Sequence, residues 1–134
     1  MLQVTYHEIA SGDARFDIMM RACPTRQVMT QIGGRWSLLI ISALENGGLR
    51  FNQLKNTIDG ISQKVLTQNL RALERDGILV RRVFDTAPVT VEYSLTEIGC
   101  GLTDVIRQLR EWAYGNMDAI SLARQRYDEE TDRE

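Results

Sequence analysis

Between Ser62 and Arg75 the chain sets Lys64, Gln68, Arg71 and Arg75 at i, i+4, i+7 and i+11, with Gln63 and Thr67 beside them. On a helix that spacing places the four on one face, while Val65, Leu66, Leu70 and Leu73 take the other. The polar face carries no carboxylate before Glu74. Its chemistry is donation to the edges of flat, electron-rich rings. Arg and Lys can donate to guanine O6 and N7, Gln can pair with adenine N6 and N7, and Thr can meet a base or a thymine methyl. The step into the helix has its own logic: Gly60 allows a tight turn, Ile61 can plug into a core, and Ser62 can accept from the free N–H groups of the first turn.

Charge is distributed to match. Sixteen basic and eighteen acidic residues give a net charge of −2, which by itself argues mildly against a polyanionic partner. Residues 50 to 82, however, hold Arg50, Lys55, Lys64, Arg71, Arg75, Arg81 and Arg82 against Asp59, Glu74 and Asp76, a local charge of +4. Attraction to phosphate follows the local field, which decays within a Debye length of about 8 Å. A solvated polar face is the plain alternative on charge alone.

Other chemistries find little support. There is neither a G-x-S-x-G elbow nor an H-E-x-x-H pair, and Gly33-Gly34 and Gly47-Gly48 lack the spacing of a dinucleotide fingerprint. No enzyme activity, catalytic residue or cofactor is expected. One histidine without a C-x-x-C pair does not suggest a metal. Two cysteines 77 positions apart, Cys23 and Cys100, do not suggest a disulfide scaffold. The longest purely apolar run, Leu38 to Ile41, is far short of the ~20 residues that span a bilayer, and no basic stretch followed by an apolar one opens the sequence. A cytoplasmic protein with no membrane partner is expected. At 134 residues, 43% hydrophobic and 25% charged, there is material for one core.

The elements that must position the polar helix read as follows. Residues 1–22 form an arm, with Gln3 to His7 able to make a short strand and Ser11-Gly12-Asp13 a turn. Pro24 opens a helix to about Ile32, stopped by Gly33-Gly34. Arg35 to Leu44 is a second helix buried on most sides, with Trp36 in the core, ended by Asn46-Gly47-Gly48. Leu49-Arg50-Phe51 can give one strand pairing, and Asn52 can cap a short helix carrying Leu54 and Ile58. After the polar helix, Asp76-Gly77 leads into a hairpin, Ile78 to Phe84 and Thr90 to Leu95, turning around Asp85 to Pro88. Thr96 then caps a long helix, with Gly115 and Asn116 as candidate interruptions and a fraying end from Asp128 to Glu134. The fold class is mainly α (α+β): a winged helix-turn-helix with a two-stranded wing and N- and C-terminal dimerisation helices.

The runs C-P-T-R-Q-V-M-T-Q-I-G-G-R-W-S-L-L-I-I from Cys23, L-R-F-N-Q-L, G-I-S-Q-K-V-L-T-Q-N-L-R-A-L-E-R-D-G-I-L and V-E-Y-S-L-T-E-I-G, in that order, resemble the HxlR-type transcriptional regulators, a branch of the MarR-like winged-helix proteins. The resemblance covers about residues 23 to 115. It implies a homodimeric regulator of transcription that binds double-stranded DNA. The family's I-S-Q-K helix in the major groove maps onto Ser62, Gln63, Lys64, Thr67, Gln68 and Arg71. Some relatives with the Cys-Pro motif sense oxidants through that cysteine, which raises the same role for Cys23. Whether a small molecule or an oxidant is the effector is left open.

The expected division is an arm at 1–22, the HxlR-type domain at 23–115, and the end of the dimerisation helix with a charged tail at 116–134. Expected DNA contacts are Arg50, Ser62, Gln63, Lys64, Thr67, Gln68, Arg71, Arg75, Arg81 and Arg82. Of the adjacent pair Arg81 and Arg82, only one should face phosphate, since neighbours on a strand point opposite ways. The expected dimer contacts are Leu102, Val105, Ile106, Leu109, Trp112 and Ala113. The competing reading is a protein-interaction module that keeps the winged scaffold without DNA, because fold does not fix function.

Overall fold

The computed structural model describes residues 13–133; the expected strand at Gln3 to His7 lies outside them. A short 3-10 turn, Ala14–Phe16, precedes helix α1, Pro24–Ile32, and helix α2, Ser37–Ala43. Strand β1, Leu49–Arg50, leads into α3, Phe51–Thr57, and then α4, Gln63–Arg75. Strands β2, Leu79–Phe84, and β3, Thr90–Leu95, form the hairpin, and α5 runs from Glu97 to Asp132. The sheet has the order β1-β3-β2 and is antiparallel throughout. This is a winged helix-turn-helix, with β1 adding a third strand to the two expected in the wing.

The core is built where the apolar faces converge. Ile40, Ile41 and Leu44 from the α2 segment meet Leu54 and Ile58 around α3, Leu66, Leu70 and Leu73 of α4, Ile78 and Leu79 entering the wing, and Ile106 of α5. Ile61 is buried with them, as its place in the turn requires. Trp36 packs on the edge of this cluster, with the Arg35 guanidinium 4.8 Å from its ring centroid.

Four local expectations change. The second helix starts at Ser37 because Trp36 occupies its N-cap position. Asn52 does not cap α3: Arg50 stands at the N-cap, and its backbone N–H donates to Gln53 Oε1 at 2.8 Å. A guanidinium has no acceptor, so only this glutamine half of a capping box forms. Gly115 and Asn116 do not interrupt α5. Asn116 Nδ2 donates to the Trp112 carbonyl at 2.8 Å, which turns a competing amide into a helix contact. Nor does the helix fray from Asp128; it stays regular to Asp132, with Thr131 Oγ1 donating to the Tyr127 carbonyl at 2.9 Å.

One junction fixes the wing and α5 to α4. Helix α4 ends in a Schellman motif, with Gly77 N–H donating to the Glu74 carbonyl and Ile78 N–H to the Leu73 carbonyl at 2.9 Å. Gly77 takes φ +73, a conformation that glycine reaches at little cost. Thr96 Oγ1 caps α5 by accepting from Gly99 N–H at 3.2 Å, and it offers its proton to the Gly77 and Ile78 carbonyls at 2.5 and 3.1 Å. The approach is so close that a Cβ on Gly99 would overlap the Ile78 carbonyl oxygen. Gly99→Ala is therefore expected to lower stability in urea denaturation by about 1–3 kcal/mol through overpacking. Gly115→Ala, where an added Cβ meets nothing within 4 Å, should raise it by about 0.5–1 kcal/mol.

Candidate nucleic-acid interface

Helix α4 is presented as its sequence divides it. Ser62 Oγ accepts from Val65 N–H at 3.1 Å, satisfying one donor of the first turn. Leu66, Leu70 and Leu73 are buried, and Gln63, Lys64, Gln68, Arg71 and Arg75 are all exposed. Thr67 is half-buried and its hydroxyl donates to the Gln63 carbonyl at 2.8 Å, so its methyl is the freer group. The helix spans roughly 20 Å at 1.5 Å per residue, and its first two turns hold Gln63, Lys64, Thr67 and Gln68.

The sheet register sorts the basic residues of the wing. Leu49, Tyr93 and Arg81 lie opposite one another across the three strands, as do Arg50, Glu92 and Arg82. Opposed residues share a face of the sheet. Arg81 and Tyr93 accordingly line a depression with Thr67, Arg71 and Glu74 of α4. Arg82 and Arg50 stand on the other face with Glu92 between them, whose carboxylate lies over Gly48: a Cβ there would overlap Glu92 Oε1. Arg81 thus faces α4, and Arg82 shares its face with a carboxylate.

The opposite flank of α4 carries a feature absent from the sequence reading. Gln31 Nε2 of α1 donates to Ser37 Oγ at 3.1 Å, Ser37 Oγ donates to Asn69 Oδ1 at 3.2 Å, and Asn69 Nδ2 donates to the Val65 carbonyl at 2.9 Å. Ser37 is fully buried, so its hydroxyl needs both partners. A serine opening the otherwise apolar run Ser37-Leu38-Leu39-Ile40-Ile41 was the available signal.

The expected dimer contacts separate into two groups. Ile106 belongs to the domain's own core and leaves the set, while Leu102 is half-buried, packing against that core and bordering an open cleft. Val105, Leu109 and Trp112 are exposed at 60%, 49% and 61%, and Ala113 is half-buried beside them. Arg107 and Arg110 reach Glu45 at 3.8 and 3.5 Å, tying this stretch of α5 to the end of α2. From Ser121 to Arg133 every residue is exposed. Helix α1 has no buried residue: Met29 is exposed, Gln27, Val28 and Gln31 line the gap to Ala72 and Arg75 of α4, and Ile32 packs on the edge of the core. Val28 and Ile32 also border an apolar cleft of about 600 Å³ with Ile78, Ile98 and Leu102.

Cys23 is 1% exposed, at the N-cap of α1, and its Sγ donates to the Arg15 carbonyl at 3.1 Å. Thr25 Oγ1 donates to the same carbonyl. The Arg15 side chain hydrogen-bonds Asp13 and holds its exposed carboxyl below the usual carboxylate range. Cys100 is exposed on α5. Among the described residues no three His, Cys, Asp or Glu side chains gather as a metal site, and no helix is long and apolar enough to cross a membrane.

Residues 31–121 match the family described as HxlR-like helix-turn-helix. The chain is 37% identical over 108 residues to the HTH-type transcriptional regulator YtfH of Escherichia coli (strain K12), covering 81% of this chain and 86% of that one. Among solved structures, the transcriptional regulator ytfH from Salmonella typhimurium superposes with a TM-score of 0.74 at 37% identity, covering 80% of this chain and 96% of that one. The redox regulator HypR in its reduced form gives a TM-score of 0.68 at 38% identity, with coverage of 73% and 97%.

Proposed function

This chain belongs to the HxlR-like helix-turn-helix family of transcriptional regulators and is not an enzyme, and from that premise we propose that it is a sequence-specific DNA-binding regulator acting as a homodimer. The observation that carries the reading is α4 itself, whose apolar face is locked in the core while Gln63, Lys64, Gln68 and Arg71 stand free on the other. In this reading the first turns of α4 enter the major groove and Arg81, on the α4 side of the wing, meets the flanking phosphate. Arg50 and Arg82, sharing a face with Glu92, contribute less.

Selection on random DNA should recover an inverted repeat whose half-sites lie one turn apart, about 34–36 Å. Affinity for that site should fall by roughly 10³ to 10⁵ between 50 and 200 mM salt if about six to ten phosphates are neutralised. Alanine at Gln63, Lys64, Gln68 or Arg71 should cost about 1–3 kcal/mol wherever the native side chain reaches a base, and relax preference at that base pair. Arg81→Ala should weaken all sequences alike. A flat salt response, with no sequence recovered, would favour a protein-interaction module instead.

The second copy follows from surfaces that one copy leaves open. Val105, Leu109 and Trp112 form an apolar face on a helix that extends far beyond its own domain, and α1 turns Met29 outward as well. Burying such a side chain is worth about 1.5–3 kcal/mol, a gain available only from a partner. Leu109→Glu is expected to give a monomer in sedimentation at micromolar concentration, with far-UV circular dichroism showing the wing domain still folded and DNA affinity sharply reduced.

The similarity to the redox regulator HypR favours one regulatory reading. Cys23 is sealed under the Arg15 carbonyl, so an oxidised sulfur, larger and more polar, could not keep its place at the start of α1. Peroxide or diamide treatment should lower the DNA affinity of the native chain and leave Cys23→Ser unchanged. Equal affinities in all four samples would make Cys23 a packing residue.

A further inference from the structure

The flank of α4 that faces α1 holds a cleft of about 500 Å³ lined by Arg21, Arg26, Thr30, Gln31, Gly34 and Asn69. No carboxylate lines it, and from Ile18 to Leu44 the sequence contains Arg21, Arg26 and Arg35 but no acidic residue. Neither Arg21 nor Arg26 is in an ion pair among the described residues. Arg26 Nη1 donates to the Met19 carbonyl at 3.3 Å, which steadies one arm of the guanidinium and leaves the other donors free. Arg21 and Arg26 line one cleft together with Thr30 and without a compensating carboxylate, a charge and a set of donors that suit an oxyanion.

We propose that this cleft binds a phosphate oxyanion and that α4 registers its occupancy through Asn69. The floor gives the mechanism: Asn69 is both a wall of the cleft and the last member of the chain Gln31–Ser37–Asn69, so a ligand drawing α1 toward α4 acts on a hydrogen bond of α4 itself. Two sources supply the same chemistry. One is a backbone phosphate of DNA, since Asn69 and Ala72 lie on the flank of α4 away from Thr67, Arg71 and the wing, so the cleft and Arg81 would bracket the helix with positive charge. The other is a free phosphate or the phosphate of a small molecule. The DNA source rests on the DNA-binding reading above; the free source does not.

Both are tested on the full chain with the paired substitution Arg21→Gln and Arg26→Gln. If DNA is the source, the variant binds all sequences more weakly, and the slope of log affinity against log salt becomes shallower by up to about 4 per dimer, at about 0.9 for each phosphate no longer neutralised. If free phosphate is the source, inorganic phosphate titrated into the DNA-free protein shifts the amide resonances of Gly34 and Asn69 saturably. Those shifts vanish in the variant, and Asn69→Ala abolishes the accompanying shifts at Gln68 and Arg71. Thermal midpoints near the native value exclude a merely structural effect. A variant with native DNA affinity and slope, together with phosphate shifts that are absent or equal in both proteins, overturns the proposal while leaving the DNA reading intact. A native chain that binds no DNA overturns that reading instead, and the phosphate titration alone then decides the cleft.

Discussion

The rest of the structure depends on how the Gly77 and Ile78 carbonyls meet Thr96. At that point the end of the α4 segment, the first residues of the wing, the last of the wing and the start of α5 share a small set of hydrogen bonds. Thr96 satisfies a free N–H of α5 while its hydroxyl proton goes to the Gly77 and Ile78 carbonyls just past the α4 terminus, the second of which also accepts from the Thr96 N–H at 3.0 Å. Gly99 permits the approach by having no side chain. The orientation of Arg81 over α4, and the direction in which α5 leaves the domain, both follow from this anchor. A small domain achieves this with one threonine and one glycine because backbone groups, once buried, must find partners.

Helix α4 is fixed from behind and finished from both sides. Leu66, Leu70 and Leu73 are buried with Ile40, Ile41 and Leu54, which sets the rotation of the helix about its axis and so decides which side chains face outward. One flank is completed by the hydrophobic and basic side of the wing, through Tyr93 and Arg81. The other is completed by hydrogen bonds from α1. An acidic chain, with a pI near 5.5, can still present a positive surface here because its acidic excess lies after residue 83, largely along the exposed helix α5. Screening over about 8 Å separates the far end of that helix from the polar face of α4.

Much of this was legible in the sequence, for identifiable reasons. Periodicity exposed the two faces of α4, and the turn residues Gly60, Ile61 and Ser62 marked its start, because these are local properties of a dozen residues. The end of α5 was misread for the same reason. Gly115 is unfavourable by propensity and the charged end of a helix tends to fray, yet side-chain bonds from Asn116 and Thr131 to the preceding turn accompany an unbroken helix. Ile106 shows a different limit. Its stripe on α5 was visible, but whether the stripe faces the domain or a partner depends on where the helix lies against Glu45, Leu44 and Ile78, which no pattern within the helix records. Strand alternation separates Arg81 from Arg82, though only the pairing of β3 with both neighbours could show which one shares a face with Glu92.

The buried Ser37 becomes intelligible from the polarity of α1. A helix at the surface ordinarily turns its apolar stripe inward, where burial holds it. Helix α1 buries little of its stripe: Met29 faces out, Val28 and Ile32 border an open apolar cleft, Ile32 packs on the edge of the core, and Gln27 and Gln31 face α4. Ile32 alone gives the helix only a small apolar hold on its own domain, so a further attachment is needed. Gln31, Ser37 and Asn69 provide that attachment, at the cost of placing a hydroxyl in the core where each of its bonds must be made. Polar contacts of this kind are directional and have discrete alternatives, so a displacement of α1 changes which bonds Asn69 makes, whereas an oily contact would only slide. The same three side chains that supplement this small apolar hold therefore give α4 a specific link to whatever moves α1.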